Sequence, residues 1–102
     1  MKERTFGEKV RALEGAGAVR FRYTEEIKRG PWICYYEDIF MPQDGRFLPV
    51  CGVGATPEEA VDGLWRGLEL RGHMSLAAPD GKTISVAWMG EEWGAFARDD
   101  GS

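Results

Sequence analysis

The chain has 102 residues, 43% hydrophobic and 29% charged, with a formal net charge of −4 and a pI near 5.0. That length supports one core rather than two, and the acidic balance argues against a general nucleic-acid binder, which shows a basic face and a high pI. No apolar run approaches the roughly 20 residues of a spanning helix, and Met1-Lys2-Glu3-Arg4-Thr5 is not followed by a secretory leader's apolar region. Two cysteines, Cys34 and Cys51, make no disulfide framework, so a cytoplasmic protein with free thiols is expected.

Thr5-Phe6-Gly7-Glu8 is an S/T-x-x-E capping box, and Phe6, Val10 and Leu13 share one helical face. The helix ends at Gly15 and Gly17 and is too short to stand alone in water. Val19, Phe21 and Tyr23 alternate with Arg20 and Arg22, the period of a half-buried strand. A charged loop from Thr24 to Pro31 follows. Trp32 to Phe40 is apolar at both parities, which predicts a strand covered on both faces. Met41 to Gly45 reads as a hairpin connection, with Asp44-Gly45 tolerating positive φ, and Arg46 to Val53 returns as the partner strand. Pro49 cannot donate a ladder bond, so its N–H side is expected at solvent or a bulge.

The strongest local signal is Gly52-Val53-Gly54-Ala55-Thr56-Pro57-Glu58-Glu59-Ala60. The glycines read as a strand exit, Thr56 as a helix cap, Pro57 as the first helical residue and Glu59 as the far half of a capping box. The main helix then runs from Pro57 to about Arg71 with Ala60, Val61, Leu64, Trp65 and Leu68 as its apolar stripe and Gly72 at its end. Pro79 to Lys82 is a turn, and Thr83 to Met89 a last strand with Ile84, Val86 and Trp88 on one side. Residues 1–96 form one domain in this reading, and residues 97–102 a frayed tail. The fold class is α+β in the order α-β-β-β-α-β, an antiparallel sheet of three to four strands with one main helix packed on one face.

From Val19 to Leu70 the chain resembles HicB-like antitoxin domains, whose third strand ends in G-x-G and leads through T-P-E-E-A into an amphipathic helix. That resemblance implies a small protein that neutralises a partner by covering it. The α-β-β-β-α order, with Gly30-Pro31 before the second strand and Gly52-Val53-Gly54 before the second helix, also resembles double-stranded-RNA-binding domains. That family grips phosphate with lysines at the second helix start. Here Glu58 and Glu59 stand at that position, so no nucleic acid is expected there.

Candidates for catalysis are few. His73, the one histidine, lies just past the main helix and reads as a helix-end residue rather than a ligand. Cys34 and Cys51 sit on adjacent strands, yet two cysteines and one histidine fall short of a zinc set, so buried thiols are expected. The glycine pair lacks the further residues of a P-loop or dinucleotide fingerprint. No catalytic residue, cofactor, metal or small-molecule substrate is therefore assigned. Aromatic residues reach 12%, which fits equally a protein-partner or homodimer interface and an aromatic-rich core covered by a tail carrying Trp93 and Phe96. A compact acidic chain without catalytic groups suits an antitoxin or a phage-encoded inhibitor. The candidate anchors are Trp93, Phe96, Trp88 and Tyr35. The alternative is nucleic-acid binding through Arg20, Arg22, Lys28 and Arg29.

Overall fold

Both predicted helix starts form. The computed structural model, which describes residues 4–26 and 30–98, places α1 at Phe6–Glu14 and α2 at Pro57–Arg71. At α1 the box is reciprocal: Thr5 Oγ1 accepts from the Glu8 N–H, and the Glu8 carboxylate accepts from the Thr5 N–H, each at 3.2 Å. These bonds from Thr5 favour the ionised form and hold the Glu8 carboxyl below its ordinary pKa. At α2, Thr56 Oγ1 accepts from the Glu59 N–H at 3.1 Å, but the Glu59 carboxylate reaches past the cap to the Ala55 N–H at 2.9 Å. The second box is thus one capping bond plus a brace one residue upstream.

The sheet is larger than the predicted three to four strands. It contains β1 (Val19–Tyr23), β2 (Trp32–Gln43), β3 (Arg46–Gly54), β4 (Leu76–Ala77), β5 (Thr83–Trp88) and β6 (Trp93–Ala97), all antiparallel. The long β2 organises it. β3 lies along one edge of β2, while β1 and β4 share the other, and β5 and β6 extend the sheet beyond β4. Asp44 (φ 51°) and Gly45 (φ 78°) make the two-residue hairpin turn. Met41-Pro42-Gln43 are paired strand, not part of the connection. The last predicted strand does not join the meander directly; it reaches β2 only through the two-residue β4.

Both helices lie on one face. Gly52 and Gly54 mark that face, because a Cβ on Gly52 would run into the backbone of α2 at Leu64, Ala60 and Gly63, and one on Gly54 would meet Glu59 and Ala60. The glycine pair is therefore a bed for the helix as well as a strand exit. Gly72 has a similar reason: it is right-handed (φ −59°), and a Cβ there would come within 2.5 Å of the Val86 carbonyl oxygen. The α1 helix packs beside α2, tied by Lys9 Nζ to Asp62 Oδ1 at 2.7 Å, and its Phe6 ring covers Phe21 of β1. Leu13, Cys34, Tyr36, Ile39, Val50, Val61, Leu64, Leu68, Val86 and Trp93 form the core between helices and sheet. Tyr36 is buried, and its hydroxyl donates to the Leu13 carbonyl at 2.6 Å. Among the described residues no helix is long and apolar enough to cross a membrane.

Candidate functional site

The opposite face of the sheet carries no helix among the described residues. Its composition follows from strand register. Arg22, Ile33 and Val53 form one row across β1, β2 and β3, and Arg20, Tyr35 and Cys51 form the next. Between Tyr35 and Phe40 the register shifts, with Tyr36 to Ile39 set against Val50. The surplus on β2 is odd, so the parity facing the helices changes: Cys34 and Tyr36 point inward before the shift, Ile39 after it. Phe40 therefore joins the outer face, opposite Pro49, and Pro42 follows opposite Phe47. Pro49 sits at the irregular stretch where its missing N–H matters least.

The result is a long outward surface of Ile33, Tyr35, Phe40, Phe47, Pro49, Cys51 and Val53, flanked by Arg20 and Arg22. Phe47 is 60% exposed and Val53 48%. Phe40 and Phe47, with Ala78, Pro79 and Gly81, line a pocket of about 280 Å³ at its far end. Arg20 Nη2 pairs with Glu37 Oε2 at 3.2 Å, and both side chains remain more than half exposed. Exposed apolar patches of this kind are interaction surfaces or ligand grooves more often than accidents.

The predicted anchors divide between the two faces. Tyr35 is half-buried on the outer face. Phe96 pairs with Ser85, on the side of β6 turned away from the helices, and is 43% exposed. Trp93 belongs to β6 rather than a tail and is 4% exposed, on the helix side of the sheet. Trp88 lies opposite it on β5, at a cleft on the helix side. Of the alternative basic set, Arg20 and Arg22 share the outer face with Tyr35, while Lys28 and Arg29 lie outside the described residues. Ile33, Pro49 and Val53 escape a reading that weighs only aromatics and arginines, and Phe40 and Phe47 are not among its chosen anchors. The alternation Phe47-x-Pro49-x-Cys51-x-Val53 is their signal.

The remaining chemical candidates separate. Cys34 is buried against the helices, and desolvation, with a smaller contribution from Cys51, pushes its thiol up to about 12. Cys51 is exposed on the other face, contrary to the expectation of two buried thiols, and partial desolvation raises its thiol as well. Adjacent strands thus carry the two sulfurs on opposite sides of the sheet, and both are free. His73 is exposed past the end of α2, and its backbone carbonyl accepts from Arg98 Nη1 at 3.0 Å. Among the described residues no group of three or more His, Cys, Asp or Glu is arranged to hold a metal ion.

On the helix side, Trp65, Trp88 and Trp93 meet with ring centroids 5.2, 5.5 and 5.6 Å apart. The indole Nε1 of Trp93 is buried without an acceptor among the described residues. No protein-family model matches the chain, and neither does any curated protein or solved structure.

Proposed function

We propose that this chain is a non-enzymatic binding module that covers a protein partner with the outer face of its sheet, in the manner of an antitoxin or a phage-encoded inhibitor. The observation that carries the reading is the helix-free apolar face running from Val53 and Ile33 to Phe47, with a pocket at its end. Aromatic and aliphatic side chains beside arginines are the chemistry of interface hot spots. The face asks for a partner that is apolar at its centre and acidic at its rim, opposite Arg20 and Arg22. On a second copy the acidic groups beside the same face are Glu37, which pairs with Arg20, and Asp38, both at the register shift rather than in the rows that hold Ile33 and Tyr35. We propose a separate protein as the occupant. The HicB-like resemblance supports the same role, and the double-stranded-RNA-binding resemblance concerns a helix start where Glu58 and Glu59 repel phosphate.

A photocrosslinking residue placed at Phe47, with a control at Arg66 on the exposed side of α2, tests this in cells that express the protein. The expected result is one protein crosslinked from Phe47 and not from Arg66, which binds the purified chain one to one and loses at least about tenfold in affinity when Tyr35 and Phe47 become alanine, as hot-spot truncation requires. Equal crosslinking from both positions would refute the reading. So would duplex binding that weakens steeply with salt and depends on Arg20 and Arg22.

A further inference from the structure

The cleft beside the three tryptophans has a volume of about 510 Å³ and lies between the C-terminal half of α2 and the β5–β6 hairpin. Trp65 comes from α2, Trp88 from β5 and Trp93 from β6, so three separate elements deliver one aromatic cluster. Their planes are steeply inclined to one another, at 52° to 83°. The rings pack against one another in tilted and edge-to-face contacts, and Trp65 and Trp88 each present the ring to Arg4. Glu69 adds a carboxylate to the lining.

Arg4 shows what this space holds. Its guanidinium carbon lies 4.9 Å from the Trp88 ring centroid and 5.2 Å from that of Trp65, within the distance at which ring quadrupoles attract cations. Among the described residues no carboxylate is within ion-pair distance of Arg4. The two rings are its close partners, and the Glu8 carboxylate interacts with it electrostatically at longer range. Arg4 is itself exposed and immediately precedes the Thr5 cap, so it can leave without disturbing a helix interior.

We infer that the tryptophan cleft is a binding site for a guanidinium cation, and that Arg4 is an internal occupant which competes with an external one. The inference is independent of the outer sheet face, since Trp88 and Trp93 lie on the helix side. Indole faces recognise planar and quaternary cations by the same electrostatics. An external arginine side chain has to displace Arg4, so its apparent affinity is reduced by the fraction of molecules in which the slot is empty. Removing Arg4 removes that competition.

The probe is N-acetyl-arginine methylamide, titrated against intrinsic tryptophan fluorescence in the full chain, with N-acetyl-citrulline methylamide as the neutral shape-matched control. Arg4→Ala is expected to bind the arginine probe roughly 5- to 30-fold more tightly than the unaltered protein, the factor that two exposed cation–π contacts together imply. The citrulline probe should bind neither protein measurably. Adding Trp88→Ala to Arg4→Ala should abolish binding, with circular dichroism confirming the fold; Trp88→Phe serves if the alanine variant unfolds and should weaken binding while keeping it. A peptide containing one arginine, compared with the free amide, distinguishes a protein-borne cation from a small molecule. The inference fails if Arg4→Ala binds the arginine probe no better than the unaltered chain, or if citrulline binds equally well.

Discussion

Replacing Gly52 by alanine adds one methyl group, and the structure says where it goes. The new Cβ would overlap the Leu64 backbone nitrogen and lie 2.5 Å from both the Ala60 carbonyl oxygen and the Gly63 carbonyl carbon, where ordinary contact begins near 3.4 Å. These are backbone atoms of α2, so no side chain can rotate away. The helix must withdraw by about 1 Å, and Ala60, Val61, Leu64 and Leu68, all buried, lift with it. Overpacking a well-filled core costs typically about 1–3 kcal/mol, and a backbone collision belongs at the upper end, about 3 kcal/mol. Against a total of about 5–15 kcal/mol that loss is severe. Urea unfolding followed by far-ultraviolet circular dichroism should show the midpoint falling by roughly 2 M or more, or no cooperative transition at all. Gly67→Ala is the matching control. Its Cβ meets nothing within 4 Å, and it lies inside α2, so the same chemical change should stabilise by about 0.5–1 kcal/mol. A Gly52→Ala protein that melts with the unaltered chain would refute the account of how helix and sheet meet, as would a Gly67→Ala protein that is the less stable of the two.

Tyr36→Phe should cost about 1–3 kcal/mol in the same urea assay, because the buried Leu13 carbonyl loses the hydroxyl that donates to it at 2.6 Å. Burial keeps the proton on the Cys34 thiol in the folded chain up to about pH 12, while an unfolded thiol releases it near 9. The resulting stability is complete below pH 9 and drains away as the pH rises toward 12, by at most about 1.4 kcal/mol per unit. Cys34→Ala should flatten that alkaline slope in urea midpoints measured from pH 8 to 11, and an unchanged slope would count against it. Thr56→Ala should destabilise by about 1 kcal/mol, by removing the acceptor of the Glu59 N–H; superimposable melts would discard the cap's contribution.

Local chemistry made the helices and the hairpin legible. A threonine followed three residues later by glutamate specifies a helix start without reference to the rest of the chain, and Asp44-Gly45 specifies a tight turn. What depended on distant partners was hidden. β4 is two residues long and has no period to read; Leu76 and Ala77 are strand only because Ile84, Thr83 and Phe40 lie beside them. β6 reads Trp-Gly-Ala-Phe-Ala, weak in β-branched residues, and pairing with β5 overrides that composition. Trp93 consequently moves from a presumed exposed tail into the core. The shift within β2 was equally invisible, since nothing in Tyr36-Glu37-Asp38-Ile39 announces that four residues will stand against Val50. Tyr35, Arg20 and Arg22 were legible as candidates for different functions, but their meeting on one face needed the register.

The apolar character of β2 at both parities carries the functional argument. A strand with apolar residues on both sides normally has a layer over each side. Here the inward residues, Cys34, Tyr36 and Ile39, receive theirs from α1 and α2 and are at most 1% exposed. The outward residues, Ile33, Tyr35 and Phe40, have no helix over them among the described residues and stay half-buried, because both helices lie on the glycine side of β3. Reversing parity at the shift also places Phe40 beside Phe47 on this outer side, where a regular strand would have sent Phe40 toward the helices and Ile39 outward. Helix-side packing alone does not account for the partner strand, since Phe47 and Val53 are among the most exposed large hydrophobic residues while Val50 between them is buried. Side chains about half exposed, as these are, forgo about half of the roughly 1.5–3 kcal/mol that full burial is worth. In the proposed complex a second protein would supply that missing layer and recover part of this energy, with Arg22 favouring an acidic partner.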